Sequence, residues 1–204
     1  MLLLSHMKHS ILKTIVTIFG AVFILVLVNF GYFWDNVKFI FTKPIDQQTE
    51  QREIKSVPEK MEPNKLIIPR LNLDLPIVYA SEDSEGEFQK DLQSGVVHFP
   101  DTANPGEPGN VYIFGHSSDY IWSKGNYKHA FSLLPQIKIG DSIVISNQAG
   151  DKFIYIVTET KIVSPKDKSV LGQFDYKQKL LTLQTSYPLG TALKRFIVIS
   201  KLNQ

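Results

Sequence analysis

Three residues able to do chemistry stand where strand-like runs end: Ser186, Arg195 and His116. Ser186 directly follows the apolar run 180–185, and Arg195 directly precedes the apolar run 196–201. If these runs are strands paired antiparallel through the loop 187–194, serine and arginine become neighbours on one rim of a sheet. A serine hydroxyl accepts an acyl group once a base removes its proton. A guanidinium beside it can donate a pair of hydrogen bonds to a carbonyl oxygen, or to the oxyanion that forms as that carbonyl is attacked. His116, within FGHSSD, emerges after the apolar run 111–114 and is the best general acid or base in the chain. Each residue alone also has a plain structural reading: a serine before Tyr-Pro sits in turns, an arginine at a strand start is solvated, and a loop histidine bonds backbone. Taken singly, none of the three decides a function.

A serine base works best when a third group orients the imidazole. Asp119, three residues after His116, and Asp101 in the preceding loop are the carboxylates to consider, although loop aspartates usually cap turns. His98, in GVVHFP, reads either as a contributor to the site or as a buried structural ring, and the structural reading applies also to His129. The acidic run Glu82, Asp83, Glu85 and Glu87 could offer oxygen ligands to calcium but lacks a glycine-punctuated ligand spacing, so it reads as a solvated loop. No metal and no cofactor is expected.

These groups need elements to position them. The chain has 204 residues, 43% hydrophobic, enough for one core with accessory segments. A net charge of +2 supplies no field that would gather nucleic acid, and none is expected as a partner. No cysteine is present, which excludes a disulfide framework, a thiolate metal site and a thiol nucleophile. Residues 14–34, TIVTIFGAVFILVLVNFGYFW, form an uncharged stretch of 21 residues, matching the roughly 20 that span a bilayer as a helix. Lys8 and Lys13 precede it and Tyr32, Phe33 and Trp34 close it, as expected for a cytoplasmic N-terminus and an aromatic outer belt. No small-residue cleavage site follows, so the stretch reads as an uncleaved signal anchor. The resulting division is a cytoplasmic segment 1–13, an anchor 14–34, a polar linker 35–64 and a folded domain 65–204.

In the folded domain, short runs rich in Val, Ile, Phe, Tyr and Thr predict strands over 66–69, 75–79, 111–114, 142–146, 152–163, 180–185 and 196–201. Runs such as VYIF and FIVI are continuously apolar, as in strands covered on both faces. Helical pieces fit only near 87–93 and 127–134. The domain is predicted to be all-β.

Three separated stretches, LTLQTSYPLGTALKR ending at Arg195, GVVHFPDTANPGEPGNVYIFGHSS ending at Ser118, and FSLLPQIKIGDSIVI followed by KFIYIVTETKIV, resemble segments of the sortases in the same order. The resemblance runs from Leu66 to Leu202 and implies a closed eight-stranded β-barrel with short helices, carried on an N-terminal transmembrane helix in the bacterial plasma membrane with the barrel extracytoplasmic. It implies His116 as catalytic histidine, Ser186 at the position of the family's catalytic cysteine, and Arg195 as the oxyanion and substrate arginine. Thr185, Thr182 and His98 are the candidate substrate-binding residues. The implied activity is cleavage of a Leu-Pro-x-Thr-Gly type sorting signal in secreted proteins, with transfer of the acyl group to a cell-surface amine. The alternative is a catalytically inactive homologue, or a cysteine-to-serine variant, serving as a membrane-tethered peptide-binding or assembly module.

Overall fold

The computed structural model describes residues 11–23, 34, 37, 52, 54, 56–119, 123–173 and 177–203. Eight strands run in chain order as β1 (Lys65–Ile68), β2 (Leu73–Tyr79), β3 (Val96–His98), β4 (Gly109–Phe114), β5 (Ser142–Ser146), β6 (Lys152–Val163), β7 (Lys179–Tyr187) and β8 (Lys194–Leu202). They close into a barrel in the order β1-β2-β3-β4-β7-β8-β6-β5. The barrel is mixed: β2 pairs parallel with β3 and β4 parallel with β7, while the remaining neighbours are antiparallel. Closure leaves the barrel without a free edge for another chain to extend.

The continuously apolar runs are explained by two layers of packing. Val111, Ile113, Leu181, Leu183, Phe196 and Val198 alternate along β4, β7 and β8 and point into the barrel core. Their neighbours Tyr112 and Ile197 pack outward with Val170, and Phe99 and Phe114 bridge this layer to Phe88, Leu92 and Val97. Each fully buried aliphatic chain is worth about 1.5–3 kcal/mol, so both faces of these strands are committed by burial.

The outer layer is held by the crossover from β2 to β3, which carries the helix Glu85–Asp91. Ser84 caps it, its hydroxyl accepting from the Glu87 N–H at 3.4 Å, with Glu85 and Glu87 in the first turn and Lys90 in the last. Phe88 on its buried side meets Phe99 and Phe114 at ring separations of 5.5 and 5.0 Å. Gly95 is needed where β3 begins, because a Cβ there would collide with the Pro76 carbonyl.

Several expectations shift. β3 is absent from the strands predicted by pattern, because a strand of 3 residues is too short to show a period. The helical expectation over 127–134 resolves into successive turns ending in the 3-10 helix Leu134–Gln136. Pro135 lacks an N–H and disfavours α geometry in the residue before it. The end of the expected linker lies on the barrel: the Met61 N–H donates to the Gly150 carbonyl at 2.9 Å, Ser146 Oγ donates to the Glu62 carbonyl at 2.7 Å, and Lys60 pairs with Asp151 at 2.6 Å. Backbone-mediated docking of this kind leaves no mark on composition. Residues 11–23 are helical and exposed, and most of the remaining expected anchor lies outside the described residues. Among the described residues no helix is long and apolar enough to cross a membrane.

Candidate active site

The site is built on the outer face of β4, β7 and β8. Ser186 and Arg195 are direct register partners in the antiparallel β7–β8 pair, so their side chains leave the same face of the barrel. Both strands reach further than their apolar cores, to Tyr187 and from Lys194, which places the pair inside the ladder rather than beyond it.

His116 follows the end of β4, and two hydrogen bonds tie that end to β7. Thr185 Oγ1 donates to the Gly115 carbonyl at 2.9 Å, and the Gly115 N–H donates to the Gln184 carbonyl at 3.1 Å. The His116 carbonyl in turn accepts from the Phe131 N–H at 2.9 Å. A Cβ on Gly115 would lie 2.8 Å from the Phe131 ring and 2.9 Å from Val96, so only glycine lets the chain turn here against the core. The histidine backbone is thereby set beside the serine strand.

Burial holds the His116 imidazole below its ordinary pKa, helped by His129, while Asp119 and Glu85 pull the other way. The ring is therefore neutral at neutral pH, the form a serine nucleophile requires of its base. Asp119 Oδ2 lies 3.9 Å from His116 Nε2, and its Oδ1 accepts from Ser123 Oγ at 2.8 Å. Asp101 stands apart in a turn with φ 59°.

A groove of about 320 Å³ joins these groups. His116, Thr185, Ser186 and Arg195 line it, with Ser117 and Ser118 alongside His116. Its apolar lining comes from Phe88, Leu92, Phe99 and Phe114 and from Val170 and Leu171 of the 3-10 helix Lys168–Leu171. Within it the Arg195 guanidinium donates from Nη1 to the carbonyls of Ala192 and Lys194, at 3.2 and 3.1 Å. No hydrogen bond joins Ser186 to His116 among the described residues.

The sortase domain model matches residues 66–203, the whole barrel. The chain belongs to the sortase family. It is 32% identical over 139 residues to sortase D of Bacillus subtilis (strain 168), a match covering 67% of this chain and 61% of that protein's length, so it spans less than two thirds of this relative. A Clostridium perfringens sortase D5 transpeptidase shares the fold with a TM-score of 0.56 at 24% identity, covering 82% of this chain and 94% of the other. Clostridium perfringens sortase C, solved with the C-terminal cell wall sorting motif, superposes with a TM-score of 0.58 at 24% identity, covering 73% and 74% of the two chains. Sortases are cysteine transpeptidases, and this sortase domain has no cysteine.

Thr182 and His98 do not line the groove. Thr182 is buried on β7 and its hydroxyl donates to Asn110 Oδ1 at 2.8 Å. His98 is buried, stacked on Tyr79 at 4.6 Å, with Nε2 2.9 Å from the Ala103 carbonyl. Of the acidic run, Asp83 and Glu85 reach the groove rim, whereas Glu87 accepts from the N–H and hydroxyl of Ser81. Sequence reasoning missed Phe88, Phe99, Tyr112, Phe114 and Gln184 as groove residues. The alternation of outward positions on β4 and β7 locates Tyr112, Phe114 and Gln184 once inside and outside are assigned, whereas Phe88 and Phe99 lie on neither strand.

Proposed function

We propose that this sortase domain is an acyl transferase in which Ser186 replaces the family's cysteine. Its substrate is a sorting signal of the Leu-Pro-x-Thr-Gly type at the C-terminal end of a secreted protein, and its acceptor is an amine at the cell surface. Ser186 Oγ attacks the threonine carbonyl carbon while neutral His116 takes its proton, and Arg195 donates hydrogen bonds to the oxyanion. His116 then gives that proton to the departing amine as the C–N bond breaks, leaving an ester on Ser186. The acceptor amine attacks the ester, loses its proton to His116, and the C–O bond breaks as Ser186 regains its hydrogen. The domain works at the membrane outer surface, held by residues 14–34. The observation that carries this reading is the direct register pairing of Ser186 with Arg195 in a groove that His116 also lines.

A second reading has its own support. The Arg195 guanidinium is engaged with its own loop and Ser186 lacks a bond to His116, as in a groove that holds peptide without reacting. Incubating the full chain with a sorting-signal peptide and an amine separates the two by mass spectrometry. Acyl transfer predicts a cleaved and amine-capped product that drops ~10³-fold or more in Ser186→Ala. Intact peptide with wild-type protein, together with turnover in Ser186→Cys, would show a site that is retained with only its nucleophile lost, and peptide affinity unchanged by Ser186 and His116 substitution would establish the binding module.

A further inference from the structure

Gln184 occupies an outward position on β7 two residues before Ser186, and it lines the groove. Its register partners, Phe114 on β4 and Ile197 on β8, are apolar, so its amide is an isolated polar group on an aromatic and aliphatic wall. The amide is not free to rotate. Tyr112, 2% exposed, donates its hydroxyl to Gln184 Oε1 at 2.6 Å. That separation is ordinary for O–H···O and short for N–H···O, which assigns the oxygen to the tyrosine and turns Nε2 away from it. Among the described residues Nε2 has no acceptor.

Two residues along a strand span about 6.6–6.8 Å, the same advance an extended peptide makes over two of its own residues. A peptide lying extended along β7 with its attacked carbonyl at Ser186 therefore brings the residue two positions earlier beside Gln184. We infer that Gln184 anchors the bound peptide by donating from Nε2 to the main-chain carbonyl of the substrate residue two positions before the attacked carbonyl. The inference rests on the peptide-groove reading proposed above but not on the serine being reactive. A donor fixed on an apolar wall penalises any ligand without an acceptor there, because the amide is then desolvated and unpaired.

The test is a double-mutant cycle on peptide binding to the full chain in detergent, read by calorimetry so that no turnover is needed. The probes are a Leu-Pro-x-Thr-Gly peptide and its analogue with an alkene replacing the Pro-x amide, which removes the carbonyl in question. Wild-type protein should bind the alkene about fivefold or more weakly, Gln184→Leu should bind the parent peptide correspondingly weakly, and the alkene should cost Gln184→Leu nothing further. Gln184→Met repeats the cycle should the leucine variant fail to fold. An equal penalty for the alkene in both proteins overturns the inference, as does absence of parent-peptide binding by wild type. Coupled binding without any cleavage supports Gln184 while removing the acyl-transfer reading.

Discussion

The inner and outer faces of β4, β7 and β8 are made by alternate residues of the same strands, yet they follow different rules. Inside, Val111, Ile113, Leu181, Leu183 and Val198 are fully buried and interchange only hydrocarbon contacts. Outside, Tyr112, Gln184, Ser186 and Arg195 sit among apolar walls with polar atoms that must find partners or face a groove. The inner face defines the fold and tolerates no loss of volume. The outer face is where polar groups are held at some cost to stability because a ligand can complete them.

The largest break in that comparison comes from cutting the inner face. Leu183→Ala should lower unfolding free energy by about 2–5 kcal/mol through lost burial and the cavity left behind, whereas Ser186→Ala should cost under about 0.5 kcal/mol. Denaturant titration of the two variants reads both values, and similar losses would mean that the faces are not energetically distinct.

Thr185→Val probes the seam between the faces, where a buried hydroxyl secures the turn that carries His116. Removing it should cost about 1–2 kcal/mol by leaving the Gly115 carbonyl unpaired, and should reduce turnover more than it reduces peptide affinity. Unchanged turnover in a folded variant would show that His116 needs no such support.

The legibility of the chain followed the same division. Burial alone makes runs such as VYIF and FIVI readable as strands, and the LTLQTS stretch with its trailing arginine identifies the neighbours Ser186 and Arg195 because strand pairing is local there. The parallel pairing of β4 with β7, which sets His116 beside Ser186, joins residues some 70 apart and has no local signal. The aromatic groove wall was hidden for a related reason. Phe88 lies in the crossover helix, Phe99 just past β3 and Phe114 at the end of β4, and they meet only after the crossover helix docks. His98 and Thr182 look functional as polar residues within apolar runs, but in the fold each has a backbone or side-chain partner in the interior.

The pH response sharpens the comparison from the electrostatic side. Burial keeps both His116 and His98 below their ordinary value of 6.5 in the folded chain. The unfolded chain then binds protons more readily, so stability is fully present above the ordinary histidine value and declines as pH falls through it toward the folded pKa. Turnover that relies on neutral His116 should be level near pH 7, with its acid limb, about tenfold per pH unit, lying below 6.5. An acid limb above that value would place imidazolium, not imidazole, at the site.

The smallest expected change is a gain. Ser200 is an inner-face residue of β8 whose buried hydroxyl has no hydrogen-bond partner among the described residues. Ser200→Ala removes a desolvated polar group without adding volume and should stabilise the barrel by about 0.5–1 kcal/mol in thermal or denaturant melts. A loss of stability would show that the inner face carries a polar network after all.

Intact-protein mass spectrometry on the full chain during incubation with a Leu-Pro-x-Thr-Gly peptide reads whether Ser186 takes the acyl group. Acyl transfer through Ser186 gives a mass increase equal to the acyl portion of the peptide, mapped to Ser186 after digestion and discharged when an amine is added. Peptide that binds yet returns unmodified, with no adduct at Ser186, would contradict it.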